Sequence, residues 1–188
     1  MKTVFLIAAG AYFAVSSALS ANEFEQDLSR LAQSTIQGWT TETVVIETLR
    51  QQNSKTAHLS EDDILALDAK WRAETASGGP LIDSLLANDL SSYLKTLVVE
   101  GQLVYSEIFI TDARGLNAGQ SGVTSDYWQG DESKWQGPCG TGEVHIGEVE
   151  FDESTQTYQC QVSLPIKEGS QLIGVITVGV DLEHLSAN

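Results

Sequence analysis

The densest chemistry in the sequence lies between Gly122 and Gly142. The segment reads Val123-Thr124-Ser125-Asp126-Tyr127-Trp128-Gln129-Gly130-Asp131-Glu132-Ser133-Lys134-Trp135. Tyr127, Trp128 and Trp135 offer apolar walls that each carry one polar handle. Asp126, Asp131 and Glu132 are placed to fix a cationic or hydroxylated ligand at the mouth of such a site. Apolar walls with a few placed polar groups are the usual make-up of a small-molecule pocket. The same residues admit a plainer reading, in which the aromatics close one end of a sheet and the acids cap a short helix.

Catalytic readings fare worse. Ser92 and Lys95 form an S-x-x-K, but no K-T-G follows, and the chain is short for the enzymes that use that set. Gly119-Gln120-Ser121-Gly122 lacks the spacing of a nucleophile elbow. His145 and Glu148 lie three apart in an expected strand, which points them to opposite faces and spoils a shared metal site. The other histidines, His58 and His184, are scattered. No catalytic set, no metal site and no cofactor is expected.

Two cysteines remain, Cys139 and Cys160. In an oxidising compartment an isolated pair most simply forms one disulfide. Closing that loop of about 20 residues is worth about 3 kcal/mol in the chain-entropy model. Two free thiols are the alternative.

The start of the chain bears on the compartment. Lys2 precedes an apolar run, Val4 to Val15, and small residues follow from Ser16 to Ala21. This is the layout of a secretory signal peptide, spanning residues 1–21, with cleavage after Ser20 or Ala21. An uncleaved anchor is the alternative. The longest later apolar stretch, Leu172 to Val180, is strand-length, so no membrane insertion is expected once the signal is removed. The reading places the protein in the bacterial periplasm or outside the cell. With 26 acidic against 10 basic residues, the formal net charge is −16. Such a surface repels phosphate backbones and anionic lipid, which argues against nucleic acid.

Residues 22–188 read as one domain with a helical part, 22–100, and a strand-rich part, 101–188. Phe24, Leu28, Leu31 and Thr35 recur at helical spacing from Glu23 to Gly38. A second helix covers Glu42 to Gln52, weakened by Val44-Val45-Ile46. Ser60 with Asp63 makes a capping-box-like start for a third helix presenting Ile64, Leu67, Asp68 and Trp71. Pro80 opens a fourth, apolar from Leu81 to Leu97, which is the helix expected to cross a sheet. Strands are expected at Glu107–Asp112, Leu116–Gln120, Glu143–Phe151, Thr157–Pro165 and Leu172–Asp181. The last is apolar on both sides, which suggests a central place. The result is an α+β fold with one antiparallel sheet. The long connection from Gly122 to Gly142 is then a binding loop or lid.

The run EIFITDARGLNAGQSGVTSDYWQGDESKWQ, then HIGEVEFDESTQTYQCQVSLPI and LIGVITVGVDL, resembles the Cache group of extracytoplasmic PAS-like sensor domains over about residues 60 to 184. The resemblance implies a PAS-like five-stranded sheet of order 2-1-5-4-3 with one long helix across a face. It implies a small-molecule ligand, such as an amine, amino acid or carboxylate, bound without chemistry near Asp126, Tyr127, Trp128, Asp131 and Trp135. Such domains commonly sit between membrane helices and feed a kinase or chemotaxis module. This sequence resembles the free-standing periplasmic members, which present their ligand to a separate membrane receptor or kinase. The alternative is an interaction domain that pairs as a homodimer or docks through the Glu23–Gly38 helix.

Overall fold

The computed structural model describes residues 21–152 and 156–187. Residues 1–20 of the expected signal peptide lie outside them, as do residues 153–155 of the expected hairpin connection.

The helical half begins with α1 (Ala21–Leu31), which runs through one π-helical turn (Ala32–Ile36) into α2 (Gln37–Trp39). Its apolar stripe, Leu28, Ala32 and Ile36, is fully buried in the protein's own core. Helix α3 (Thr43–Thr56) forms despite its β-branched start, because Val45 and Leu49 are fully buried and packing outweighs propensity. Helix α4 (Glu61–Thr75) opens on the expected capping box. Asp63 N donates to Ser60 Oγ (3.2 Å), and Ser60 N donates to Asp63 Oδ2 (2.9 Å).

The expected single helix from Pro80 is divided into α5 (Pro80–Leu86) and α6 (Asp89–Glu100). Asn88 causes the break by capping the second piece: Ser91 N donates to Asn88 Oδ1 (2.7 Å). Its Nδ2 donates to Ala118 O (2.9 Å), so the break is also tied to the sheet. Helix α6 packs on the first two strands of the sheet, while α5 reaches the second.

The sheet comprises β1 (Tyr105–Asp112), β2 (Asn117–Gln120), β3 (His145–Asp152), β4 (Thr157–Glu168) and β5 (Gln171–Asp181). All neighbours are antiparallel and the order is β2-β1-β5-β4-β3, as the resemblance implied. Strand β5 is central, as its two-sided apolar character suggested. A short helix, α8 (Leu182–Ala187), follows it.

Strand alternation divides the sheet into two unlike faces. Ile108, Ile110, Val162, Leu164, Ile176 and Val178 face the helices and join the main core with Leu49, Leu90 and Leu94. The opposite face carries Phe109, Thr177, Ser163 and His145 in one row, since each pairs with the next across the strands, and Gln120 extends the row onto β2.

A second core lies at the β2 end. Ile64 and Trp71 of α4, Ile82 and Leu85 of α5, Leu116 and Tyr127 bury together there. Trp71 stacks on Tyr127 with ring centroids 5.5 Å apart. Asp68, almost fully buried on the apolar side of α4, holds the loop in place. Its Oδ1 accepts from Tyr127 N (2.9 Å) and Trp128 N (3.1 Å), while Oδ2 pairs with Arg72 (2.8 Å). Replacing Asp68 by Ala strands two buried amide donors. Denaturant melts of Asp68→Ala should show a loss of about 2–4 kcal/mol. A loss no larger than that of the exposed Ser125→Ala change would refute this anchoring role.

Candidate functional site

The turn joining β1 to β2 sets the geometry of the second face. Asp112 Oδ1 accepts from Arg114 N (2.8 Å) and Leu116 N (3.0 Å), an Asx arrangement that closes the turn. Gly115 sits at φ +82°, and a Cβ there would meet Gly130 backbone at 2.6 Å. The turn and the loop after β2 can approach each other only with glycine at this position. Asp112 Oδ2 accepts from Thr56 Oγ1 (2.8 Å), which joins the turn to α3. Burial pushes the Asp112 carboxyl above its ordinary range, against the lowering effect of these donors and of Arg114.

The connection expected as a binding loop contains a helix, α7 (Ser133–Thr141), lying over the second face. Lys134 Nζ stands 5.5 Å from the Phe109 ring centroid, and Gly137 lies against His145. A Cβ at Gly137 would come within 2.9 Å of that imidazole, so glycine permits the close seating. At the far end Lys167 Nζ donates to Gly142 O (2.9 Å).

Between the first turn of α7 and strands β1, β3 and β4 lies a cavity of about 670 Å³. Glu107, Glu132, Lys134, His145, Glu150 and Gln161 are among its lining residues. Gln161 Nε2 donates to Glu107 Oε1 (2.9 Å), and Lys134 pairs with Glu132 (2.9 Å). The volume falls in the range of small-molecule sites. The chemistry of the lining is to bind charged, hydrogen-bonding groups; among the described residues no three metal-ligating side chains gather.

The deeper part of this face is polar and closed. Thr111, Asn117, Gln120, Ser163 and Thr177 are all buried. Ser163 and Thr177 hydroxyls bond each other at 2.9 Å. Asn117 Nδ2 reaches Thr124 Oγ1 (2.8 Å) and Asp126 O (3.0 Å). Asn117 Oδ1, Gln120 Nε2 and Gln129 Oε1 are buried with no hydrogen-bond partner. Buried polar atoms are normally satisfied, so these three are exceptions within an otherwise bonded cluster.

The structure distributes the expected site residues over both readings of the loop. Tyr127 is core: it stacks on Trp71, and its hydroxyl accepts from Gln52 Nε2 (3.3 Å). Asp126 pairs with Arg72 (3.0 Å) at the surface, and Asp131 is exposed. Trp128 and Trp135 are half-buried and line a separate groove of about 430 Å³ beside Ile64 and Arg114. Their indole N–H groups donate to Arg114 O (2.9 Å) and Asp112 O (3.3 Å). Of the acids noted at the loop, Glu132 alone lines the larger cavity. Glu107, Lys134, His145, Glu150, Gln159 and Gln161 were missed. Their signal was present as the alternation of Gln159, Gln161 and Ser163 with Cys160, Val162 and Leu164, which reads as a solvated face until α7 is placed over it.

The expected Cys139–Cys160 disulfide is corrected: both cysteines are free. Cys160 points to the helix-packed side of β4, in register with Val180, and its thiol lies 3.3 Å from Gly147 O. Cys139 rides on α7, over the other face. The sheet separates them.

A five-stranded PAS-like sheet with helices on one face and a covered polar face on the other defines an α+β domain of the PAS-like class. The chain belongs to the family described as methyl-accepting chemotaxis protein-like, first PDC sensor domain, whose model matches residues 82–187. That family is one of sensory domains. Similar solved structures include a domain of a sensory box/GGDEF family protein from Vibrio parahaemolyticus, at 14% identity and TM-score 0.46, covering 90% of this chain and 59% of that one. Another is the ligand-binding domain of the Pseudomonas aeruginosa amino acid chemoreceptor PctC in complex with GABA, at 17% identity and TM-score 0.39, covering 76% and 60%. A third is the sensory domain of the Campylobacter jejuni chemoreceptor Tlp3, at 16% identity and TM-score 0.43, covering 87% and 67%. The chain spans little more than half the length of the first solved structures it matches. No curated protein matches it.

Two measurements check this description. Burial raises the Cys160 thiol to about 11 and also raises Cys139. Alkylation at about pH 8 should label Cys139 first and Cys160 only on unfolding, with no change in Tm on adding reductant. Quantitative labelling only after reduction would restore the bridge. For Asp112, the raised folded value means that its contribution to stability is full below the unfolded value and is lost as pH rises through the folded one. The stability of wild type relative to Asp112→Asn should therefore fall as pH rises out of the acid range. A rising difference would refute it.

Proposed function

We propose that this protein is an extracytoplasmic sensor domain that binds a small molecule in the cavity beneath α7. In this reading residues 22–188 act as one sensing module after removal of the leader. Occupancy of the site is passed to a receptor or kinase partner. The observation that carries the reading is the cavity of about 670 Å³ built from β1, β3, β4 and the start of α7, on the polar face of a sensor-family sheet. The family and the PAS-like topology support sensing in preference to catalysis. Among the described residues no helix is long and apolar enough to cross a membrane.

The aromatic groove of Trp128 and Trp135 is the competing location within the same function. A metabolite panel scored by thermal shift separates the two. The hit should raise Tm in wild type and in Trp128→Ala. It should lose that effect in Gln161→Ala, whose side chain lines the cavity and orients Glu107. Loss in Trp128→Ala with retention in Gln161→Ala would move the site to the groove. A broad panel with no hit, and no retained ligand in protein purified from its host, would end the sensing proposal.

A further inference from the structure

We propose that the ligand carries a protonated amine, and that the Lys134 ammonium is a tethered occupant of the seat which that amine takes. The inference rests on the sensing reading above and adds to it the charge of the ligand and its competitor.

Lysine heads normally extend into water while their stems lie on the protein. Lys134 departs from that habit, for its side chain is only 16% exposed. Its Nζ lies 5.5 Å from the centroid of the Phe109 ring and 2.9 Å from Glu132 Oε2. An aromatic face together with a carboxylate is the pair of features that retains an ammonium group. The protein thus already shows a bound primary ammonium at the wall of the cavity, supplied by its own chain.

The rest of the lining is unbalanced in the same direction. Once Glu132 is matched with Lys134, the lining residues hold three further carboxylates, Glu107 and the exposed Glu148 and Glu150, against one further nitrogen base, His145. Gln161 orients Glu107 without neutralising it. An anionic ligand would enter a mouth of like charge and would have to pull Lys134 away from Glu132. A cationic one meets unpaired acids at entry. It gains the ring and Glu132 whenever Lys134 swings out. The net charge of −16 raises the local concentration of cations further.

The sign of one substitution tests this. Calorimetry and thermal shift would use butylamine and 1,4-diaminobutane as cationic probes, with butyrate and succinate as anionic ones. Lys134→Met vacates the seat, so the amines should bind about tenfold more tightly, the scale of one charge-assisted contact. Glu107→Gln combined with Glu150→Gln should weaken them by a similar factor. Lys134→Gln serves in place of Lys134→Met should the latter lower Tm. Weaker amine binding in both Lys134 variants would overturn the tethered-competitor assignment. Binding of butyrate or succinate with no amine binding would overturn the amine class and leave sensing intact. No response to any of the four probes, in wild type or Lys134→Met, would overturn the assignment, while the broad panel and the host-purified protein decide sensing separately.

Discussion

Strand β5 must be covered on both sides, and the rest of the architecture follows from that requirement. Every residue from Ile173 to Asp181 is buried, although the strand runs through the middle of an open sheet. On one side the cover is hydrophobic. Leu28 and Ile36 of the first helical run, Leu49 of α3, and Leu90 and Leu94 of α6 reach the sheet and bury with Ile176 and Val178. Burial of that kind is non-directional and is satisfied by shape and apolar area. The other side presents Thr177 and Gly179, in register with Phe109 and Glu107 on β1 and with Ser163 and Gln161 on β4, so its cover has to satisfy hydrogen bonds as well.

The chain meets that second demand with the segment after β2. Asp68 grips the segment by two backbone amides, Trp71 stacks beneath it, and Asp112 ties the neighbouring turn to α3. With its near end fixed, α7 lies over the polar strands and leaves a cavity beside β3. Buried charge and amide groups in such a place are costly unless paired. The pairings seen there are Lys134 with Glu132 and Gln161 with Glu107, while Glu148 and Glu150 stand exposed to solvent at the cavity's rim.

The aromatic loop shows how one segment serves two purposes. Tyr127 and Trp71 make it a plug that fixes the β2 end of the sheet. A few residues further on, Glu132 and Lys134 make it a wall of the cavity. The rigid plug positions the wall, as a binding group needs a supported backbone to be effective.

Local signals settled most of the secondary structure. The capping box at Ser60, the turn Asp112–Gly115, the apolar run of β5 and the helical spacing of Phe24, Leu28 and Leu31 are written in neighbouring residues, because caps, turns and periodicity act over a few positions. Asn88 carried its break locally too, but the apolar run across it masked the cap. What the sequence alone could not decide was which polar residues face water and which face α7. Gln159, Gln161 and Glu107 have the alternation of a solvated strand, and only the packing of a helix distant in sequence turns that surface into a lining. The same holds for the cysteines, whose pairing depended on which side of the sheet each occupies. Tyr127 and Trp128, adjacent in sequence, went to the core and to a groove because Asp68 and Arg114 hold their backbone and indole from different elements. Such long-range contacts have no signature in nearby residues, since they are fixed only once the sheet and its helices have assembled.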